Sequence, residues 1–303
     1  MPADILCAGH ASYDISVFVD EFPRENSKCE TREMLEAGGG PAANAAYLLA
    51  LWGERCALAA LVGDDSTGRR IIEESRLAGL DVSLIEARGG HATPVSLILI
   101  NKQNGSRTIV NRKAPAAPLH CDPIALAELK PGVLLFDGHE LEASLAALDA
   151  FPDAVTILDA GSWRTGTAGL AGKVRYLAAS ERFALQATGL PGLREPTQQR
   201  TCVARLREQH SNIVVVTMGE RGLVADDGTG FFHLPAWPAR TVDTTAAGDI
   251  FHGALVWSVA RKLEFRECLR FASMAAALSV EKPGGRASIP PLARVKEALA
   301  HAG

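Results

Sequence analysis

Short runs of β-branched and leucine-rich residues recur along the chain, at roughly 4–9, 56–62, 133–136, 154–159 and 212–217. Between them lie longer stretches whose apolar positions repeat at helical spacing. That alternation predicts an α/β fold: a mostly parallel central sheet, buried on both faces and flanked by helices. Two segments, about 12–36 and 92–112, break the pattern. The second contains two strand-like runs joined by the turn residues Asn104 and Gly105. Together they predict a small β subdomain. Both lie beyond the carboxyl ends of predicted core strands, where open α/β sheets bind ligands, so a lid over a site is expected; two surface hairpins without a role would leave the same pattern. No repeat, low-complexity tract or Pro/Gly/Ser-rich linker divides residues 1–303, so one domain carrying that β lid is the expectation.

Composition narrows the function classes. The formal charge of −4 arises from acids and bases scattered along the whole length, with no basic stripe to neutralise a nucleic-acid backbone. Nucleic acid is therefore not an expected partner. The six cysteines (Cys7, Cys29, Cys56, Cys121, Cys202, Cys268) are widely spaced, form no CxxC pair and lie mostly in apolar stretches, as reduced thiols do. Acidic residues surround the short apolar run near the amino end, and no later run approaches 18 apolar residues. Neither a signal peptide nor a membrane span is predicted, and a cytoplasmic address is the expectation. None of His10, His91, His120, His139, His210, His233, His252 and His301 has metal-ligand spacing.

The most informative stretch is Asp243-Thr-Thr-Ala-Ala-Gly-Asp249-Ile-Phe-His-Gly-Ala-Leu255, which passes from a polar segment into an apolar run, 250–260, long enough for a buried helix. The small residues Ala246, Ala247 and Gly248 are expected to form the first helical turn, leaving backbone N–H groups open to an anion. A tightly packed helix start would read the same way. The carboxylate of Asp249 beside such a nest would repel a phosphate unless it had work to do. Accepting a proton from a hydroxyl that attacks a γ-phosphate is such work. Far upstream, Gly38-Gly-Gly-Pro-Ala-Ala-Asn44 has glycines that permit close backbone approach and Pro41 at a favoured first helical position. Neither stretch is a Walker A loop or a GxGxxG turn after a strand.

Taken together, these motifs resemble the ribokinase-like (PfkB) carbohydrate kinase family. The likeness runs in order through Gly9 to Asp14, Gly39 to Asn44, Gly63-Asp64-Asp65 with Gly68, Thr217 to Gly222, the Asp243 to Asp249 signature, and Lys282 to Pro290. It implies a ribokinase-like three-layer fold and an ATP-dependent kinase with Asp249 as base and Ala246, Ala247 and Gly248 as anion hole. It further implies a sugar site at Asp14, Gly39, Gly40 and Asn44, and a nucleotide site at Ser180, Thr217, Gly219 and Gly222. Many relatives hold a monovalent cation, and the matching positions are Asp243, Thr245, Ser279, Lys282, Gly284 and Ser288; oxygen ligands of this kind suit potassium. Where the family commonly has Asn-x-x-Glu near magnesium and the nucleotide phosphates, this chain reads Ser180-Glu181-Arg182-Phe183. Magnesium is still expected with ATP.

Within the family the chain is most similar to the sulfofructose kinases, through GGGPAA, VGDDSTG, the Ser-Glu replacement and PGGRASIP. That resemblance places Lys28 and Asn111 on two sulfonate-binding positions, with His139 where an arginine is expected. The resemblance implies a sugar or modified sugar as acceptor, such as sulfofructose or a related ketose, but an imidazole cannot copy the arginine fork, which points to a different acceptor, for instance a less acidic ketose or another modified sugar. Lys28 is equally compatible with a solvated surface. A nucleoside kinase of the same family and a non-catalytic sugar-binding regulator are the alternatives. Open strand edges on the lid imply a homodimer in which lids pair.

Overall fold

In the computed structural model, which describes residues 4–113, 118–121, 123–210 and 213–302, the apolar runs become the middle of a nine-stranded sheet. The chain begins with β1 (Ile5–Ala8), leaves the sheet for β2 (Ser12–Val19) and β3 (Met34–Gly39), and returns through α1 (Pro41–Leu51) to β4 (Cys56–Gly63). After α2 (Ser66–Leu77) and β5 (Ile85–Arg88) it leaves again, for β6 (Val95–Asn101) and β7 (Arg107–Arg112). A βα alternation comes next: α3 (Pro123–Ala127), β8 (Val133–Phe136), α4 (Leu141–Ala150), β9 (Val155–Ala160), α5 (Thr165–Ala171), β10 (Tyr176–Ser180), α6 (Glu181–Thr188), α7 (Pro196–His210) and β11 (Ile213–Thr217). Antiparallel strands β12 (Leu223–Asp226) and β13 (Phe231–Leu234) close one edge, and α8 (Ala247–Ala260), α9 (Phe265–Ser279) and α10 (Leu292–Ala302) complete the chain.

The strand order is β13-β12-β11-β10-β9-β8-β1-β4-β5, parallel from β11 to β5. Alternation of side chains along each strand sends Ile5 and Cys7 to a core shared with α1, α8 and α9, and Leu6 and Ala8 to a second core with α4 to α7. Burial on both faces explains why the central strands read as continuous apolar runs; all eight residues of β4 are buried. In the first core, Trp52 meets Trp257 and Phe271 edge-on, while Trp257 and Phe271 stack at 4.7 Å.

The five predicted runs correspond to β1, β4, β8, β9 and β11, although residue 212, the predicted start of the last, lies outside the described residues. Strand β10 was hidden because Tyr-Leu-Ala-Ala-Ser has no β-branched residue to distinguish it from a helix. Strands β5, β12 and β13 are as short as β1 and β8 but are not buried throughout, so polar residues interrupt them and they do not show as apolar runs.

Strands β3-β2-β6-β7 form a separate four-stranded sheet, with β2 and β6 parallel and the outer pairs antiparallel. Its own core is small, comprising Phe18, Ile98 and Ile100, and every residue of β7 is exposed. The β6–β7 turn is docked: Thr244 Oγ1 donates to Gly105 O at 3.2 Å, and Arg107 Nη1 donates to Thr244 O at 3.0 Å. Gly105 has φ 67, and a Cβ there would come within 2.9 Å of Thr241 and Val242. All six cysteines are free; Cys7, Cys56, Cys202 and Cys268 are buried, Cys121 is half-buried and Cys29 is exposed. Among the described residues, no helix is long and apolar enough to cross a membrane.

Candidate active site

The polar segment before α8 turns sharply at Ala246, which sits at the helix cap with φ 60 and ψ 7. It does not belong to the first helical turn, as the sequence had led us to expect. A left-handed residue is needed to swing the chain from the extended segment into the helix, and alanine adopts that conformation at a cost. The Ala247 amide closes the turn onto Thr244 O at 3.3 Å. Gly248 is exposed and has open space where a side chain would project, leaving the first helical amides accessible.

Asp249 comes immediately after, and its Oδ2 accepts from Asn44 Nδ2 at 2.7 Å across 205 residues of sequence. The amide orientation of Asn44 is set from behind, because its Oδ1 accepts from Arg286 Nε at 3.2 Å. Arg286 is itself buried, lies 3.1 Å from Glu74 Oε1 and stacks on Tyr47. Glu74 Oε2 in turn accepts from the Gly38 amide at 2.7 Å. A polar chain, buried at Asn44 and Arg286, thus links α2, the glycine turn, α1 and the C-terminal loop to one carboxylate. Burial, reinforced by the Asp159 carboxylate, pushes Asp249 up to about 7, while the Asn44 hydrogen bond, His252 and Arg107 pull the other way. A carboxylate with that affinity for a proton is suited to general base work near neutrality.

In the four-stranded sheet, Asp14, Ser96 and Asn111 lie in register across β2, β6 and β7, so all three point to the same face. Burial raises Asp14, opposed by hydrogen bonds from Ser12 and Ser96 and by the Arg286 charge. The glycine turn packs against this group: a Cβ on Gly39 would sit 2.0 Å from Asp14 Oδ2, and one on Gly40 (φ 99) would sit 2.4 Å from His10 O. Glycine is therefore required at both positions. Lys28 is exposed in the 20–33 connection between β2 and β3.

His139 belongs to a cluster that sequence spacing could not show. The adjacent strands β1, β8 and β9 deliver His10, His139 and Arg164 just beyond their carboxyl ends. The two imidazoles stack at 4.4 Å, and an Arg164 guanidinium nitrogen touches His139 Nε2. Asp137 is fully occupied beneath them, accepting from the amides of His10, Ala42 and His139 at 2.8, 3.1 and 2.9 Å. Burial alone would raise Asp137, but His139 and these hydrogen bonds hold it well below the usual carboxylate range. Burial lowers His10 to about 3, helped by His139, Arg164 and Lys113.

On the opposite flank, Ser180 and Thr217 are register partners at the carboxyl ends of β10 and β11. Ser180 Oγ caps α6 by accepting from Phe183 N at 3.1 Å and donates to Gly161 O. Gly219 and Gly222 bracket a short 3-10 turn with φ 61 and 81. The Glu181 carboxylate is engaged by Arg221. Around the remaining predicted ligands, Asp243 accepts from Thr245 N and Gly284 N, both at 2.8 Å. The Ser279 carbonyl accepts from Lys282 N and the Gly284 carbonyl from Ser288 N, so these positions share one loop cluster. The Lys282 side chain is exposed, whereas Thr245 Oγ1 is buried with no hydrogen-bond partner among the described residues. A separate cavity of about 670 Å³, lined by Leu148, Phe151, Arg175 and His210, opens at the amino ends of β9 and β10, away from all of these groups.

The structure therefore gathers Asp249, Asn44, Asp14, Gly39, Gly40 and the 246–248 turn, and adds Arg286, Glu74, Asp159, His252, Arg107, His10 and Arg164. Only the histidines among the additions carry a signal in a single sequence, and that signal is weak.

A family model described as pfkB family carbohydrate kinase matches residues 2–292. A nucleoside kinase of Methanothermobacter thermautotrophicus is 25% identical over 305 residues, covering 95% of this chain and 92% of the relative. A ribokinase of Haemophilus influenzae is 23% identical over 316 residues and covers 100% of both chains. The structure of Arabidopsis thaliana ribokinase complexed with ribose and ATP superposes with a TM-score of 0.82, at 23% identity and 99% coverage of each chain.

Proposed function

We propose, from the premise that this chain belongs to the pfkB family of carbohydrate kinases and is a phosphotransferase with a hydroxyl acceptor, that it moves the γ-phosphoryl group of ATP onto a primary hydroxyl of a sugar or modified sugar. The observation that carries this reading is the 2.7 Å hydrogen bond between Asn44 and Asp249, which joins the glycine turn to the helix bearing the phosphate nest. In this reading Asp14 and Asn44 orient the acceptor and Asp249 takes the proton of its attacking hydroxyl. The amides at Ala246, Ala247 and Gly248 meet the charge that spreads over the transferring phosphoryl oxygens. Ser180, Thr217, Gly219 and Gly222 line the nucleotide side. Magnesium, arriving with ATP, offsets phosphate charge. The unpartnered Thr245 Oγ1, beside Asp243 and the loop carbonyls, fits an oxygen-ligated potassium ion.

The finer substrate reading rests on the His10, His139 and Arg164 cluster. With His10 held neutral by burial and His139 engaged by Arg164 and by Asp137, it is the Arg164 guanidinium that favours an acceptor whose far end is acidic or strongly polar, as in sulfofructose or a related ketose. Arg164 supplies the guanidinium that the chain lacks at position 139, with Asn111 and Lys28 nearer the lid. The resemblance to a nucleoside kinase supports a second reading, in which the acceptor hydroxyl belongs to a ribose carrying a base. A homodimer is proposed through the lids, whose Met34, Leu35, Leu97, Ile109 and Val110 are exposed. Light scattering of the wild type and of Val110→Arg tests it; a monomer in both removes it.

The deciding experiment is an ATP-consumption screen over fructose, ribose, sulfofructose, amino sugars and nucleosides, each with and without potassium. One sugar should raise consumption well above the level of Asp249→Asn. Stimulation only by nucleosides selects the second reading. No stimulation by any hydroxyl compound would overturn the assignment.

A further inference from the structure

Helix α8 carries a second titratable residue whose environment the proposed reaction leaves unexplained. His252 stands one turn after Asp249, at the i+3 position that shares its face. It is 4% exposed and is wedged between α8 and the central sheet. Both ring nitrogens face oxygens that can only accept: Nε2 lies 3.3 Å from the Ala178 carbonyl of β10, and Nδ1 lies 3.1 Å from Asp159 Oδ2 at the end of β9. A carbonyl cannot donate, and an ionised carboxylate cannot either. Nε2 alone makes a hydrogen bond, Nδ1 lying at ion-pair distance; with Asp159 ionised, a proton on both nitrogens matches these neighbours, and Asp159, itself 7% exposed, is the counter-charge.

We propose that Asp159 and His252 form a buried ion pair that sets the readiness of Asp249 to accept the acceptor's proton. The inference rests on the reading of Asp249 as base, but it concerns a property of the carboxyl group that exists whether or not that reading holds. Asp249 is faced by Asn44 from α1, Arg107 from β7, Asp159 from β9 and His252 from its own helix. Asn44 donates a neutral hydrogen bond, and Arg107 stands on the exposed lid. The pair is thus the charge balance built into the rigid part of the molecule. Asp159 strengthens the hold of Asp249 on a proton, and His252 weakens it. Burial alone would discharge His252, but Asp159, and after it Asp249, keep its affinity for a proton above the ordinary histidine value. An uncompensated Asp159 would leave Asp249 protonated and idle near neutrality. An unaccompanied imidazolium would make it a poor base.

The test is NMR titration of the full-length protein, with the Asp249 carboxyl carbon assigned by comparison with Asp249→Asn and the His252 ring nitrogens observed directly. In the wild type, both His252 nitrogens should remain protonated at pH 7.5. His252→Asn should raise the Asp249 midpoint by about one pH unit or more, Asp159→Asn should lower it, and the double variant should fall between. A neutral His252 in the wild type, or an Asp249 midpoint unmoved in both folded single variants, would overturn the proposal. If a variant fails to fold, the wild-type ring-nitrogen result still decides. Because no acceptor or ATP is needed, these outcomes are separate from the turnover of Asp249→Asn, which reports on the base assignment itself.

Discussion

The two halves of the site are built on opposite physical terms. Around Asp249, the helix start, Asn44, Arg286 and the Asp159–His252 pair lie within or against the main core, and each polar group is held by another buried group. In the four-stranded sheet, β7 is exposed along its whole length and the sheet's own apolar cluster is only Phe18, Ile98 and Ile100. Its hold on the phosphate turn comes down to Gly105 and Arg107 against Thr244. A change in the buried half leaves a charge without a partner in a region of low dielectric, whereas a change in the lid exposes a little more surface to water. On the proposed reading, phosphoryl-transfer chemistry is thus placed where substitution is expensive, and acceptor choice where it is cheap.

The largest effect that would break this contrast is at the base. Asp249→Asn should lower turnover by about 10² to 10⁴-fold while ATP binding, monitored by calorimetry, is retained. The same variant has a stability signature. A carboxyl raised to about 7 in the folded protein costs stability progressively as pH rises from its unfolded value, about 4, through 7. Asparagine removes that cost, so the gain in melting temperature should be greater at pH 8 than at pH 5. An equal gain at both would show that Asp249 is not held in a raised state.

Next comes Arg286→Met, which leaves Glu74 without its partner and frees the Asn44 amide to turn. Losing the buried arginine of a pair whose carboxylate is partly exposed should cost about 2 kcal/mol in urea unfolding, with a fall in turnover as well. Unchanged stability would mean that the buried half is no more demanding than the lid. Arg107→Ala probes the lid side: the KM of the acceptor should rise roughly tenfold as one charge-assisted contact to the phosphate turn is lost, with the melting temperature unchanged. The smallest effect is at Ala246. Replacing a left-handed alanine by glycine should stabilise the fold by about 1 kcal/mol in denaturant unfolding, and a loss instead would show that the turn is not strained.

Much of this was legible beforehand, and the legible parts share a cause. The central strands show as apolar runs because both their faces are buried, and the Asp243–Asp249 and Gly38–Asn44 stretches show because tight turns and close approach demand small residues. Strand β10 did not show, since its alanines suit a helix equally well. Ala246 was misplaced by one structural step because nothing in alanine announces a positive φ. Arg286, Glu74, Asp159 and Arg164 carried no signal, as a charged residue in a polar stretch is ordinarily a solvated one.

The residues alone determined the features that local and periodic constraint dictates: the layered architecture, the two signature turns and the carboxylate beside the second of them. Only the tertiary structure decided which distant charges share a buried space, because β1, at the start of the chain, lies beside the consecutive strands β8 and β9 in the sheet, and the ends of the three together place His10, His139 and Arg164 in one cluster. The proton affinity of Asp249 belongs to the same class. It is set by burial and by Asp159 across the sheet, quantities that no single stretch of sequence contains.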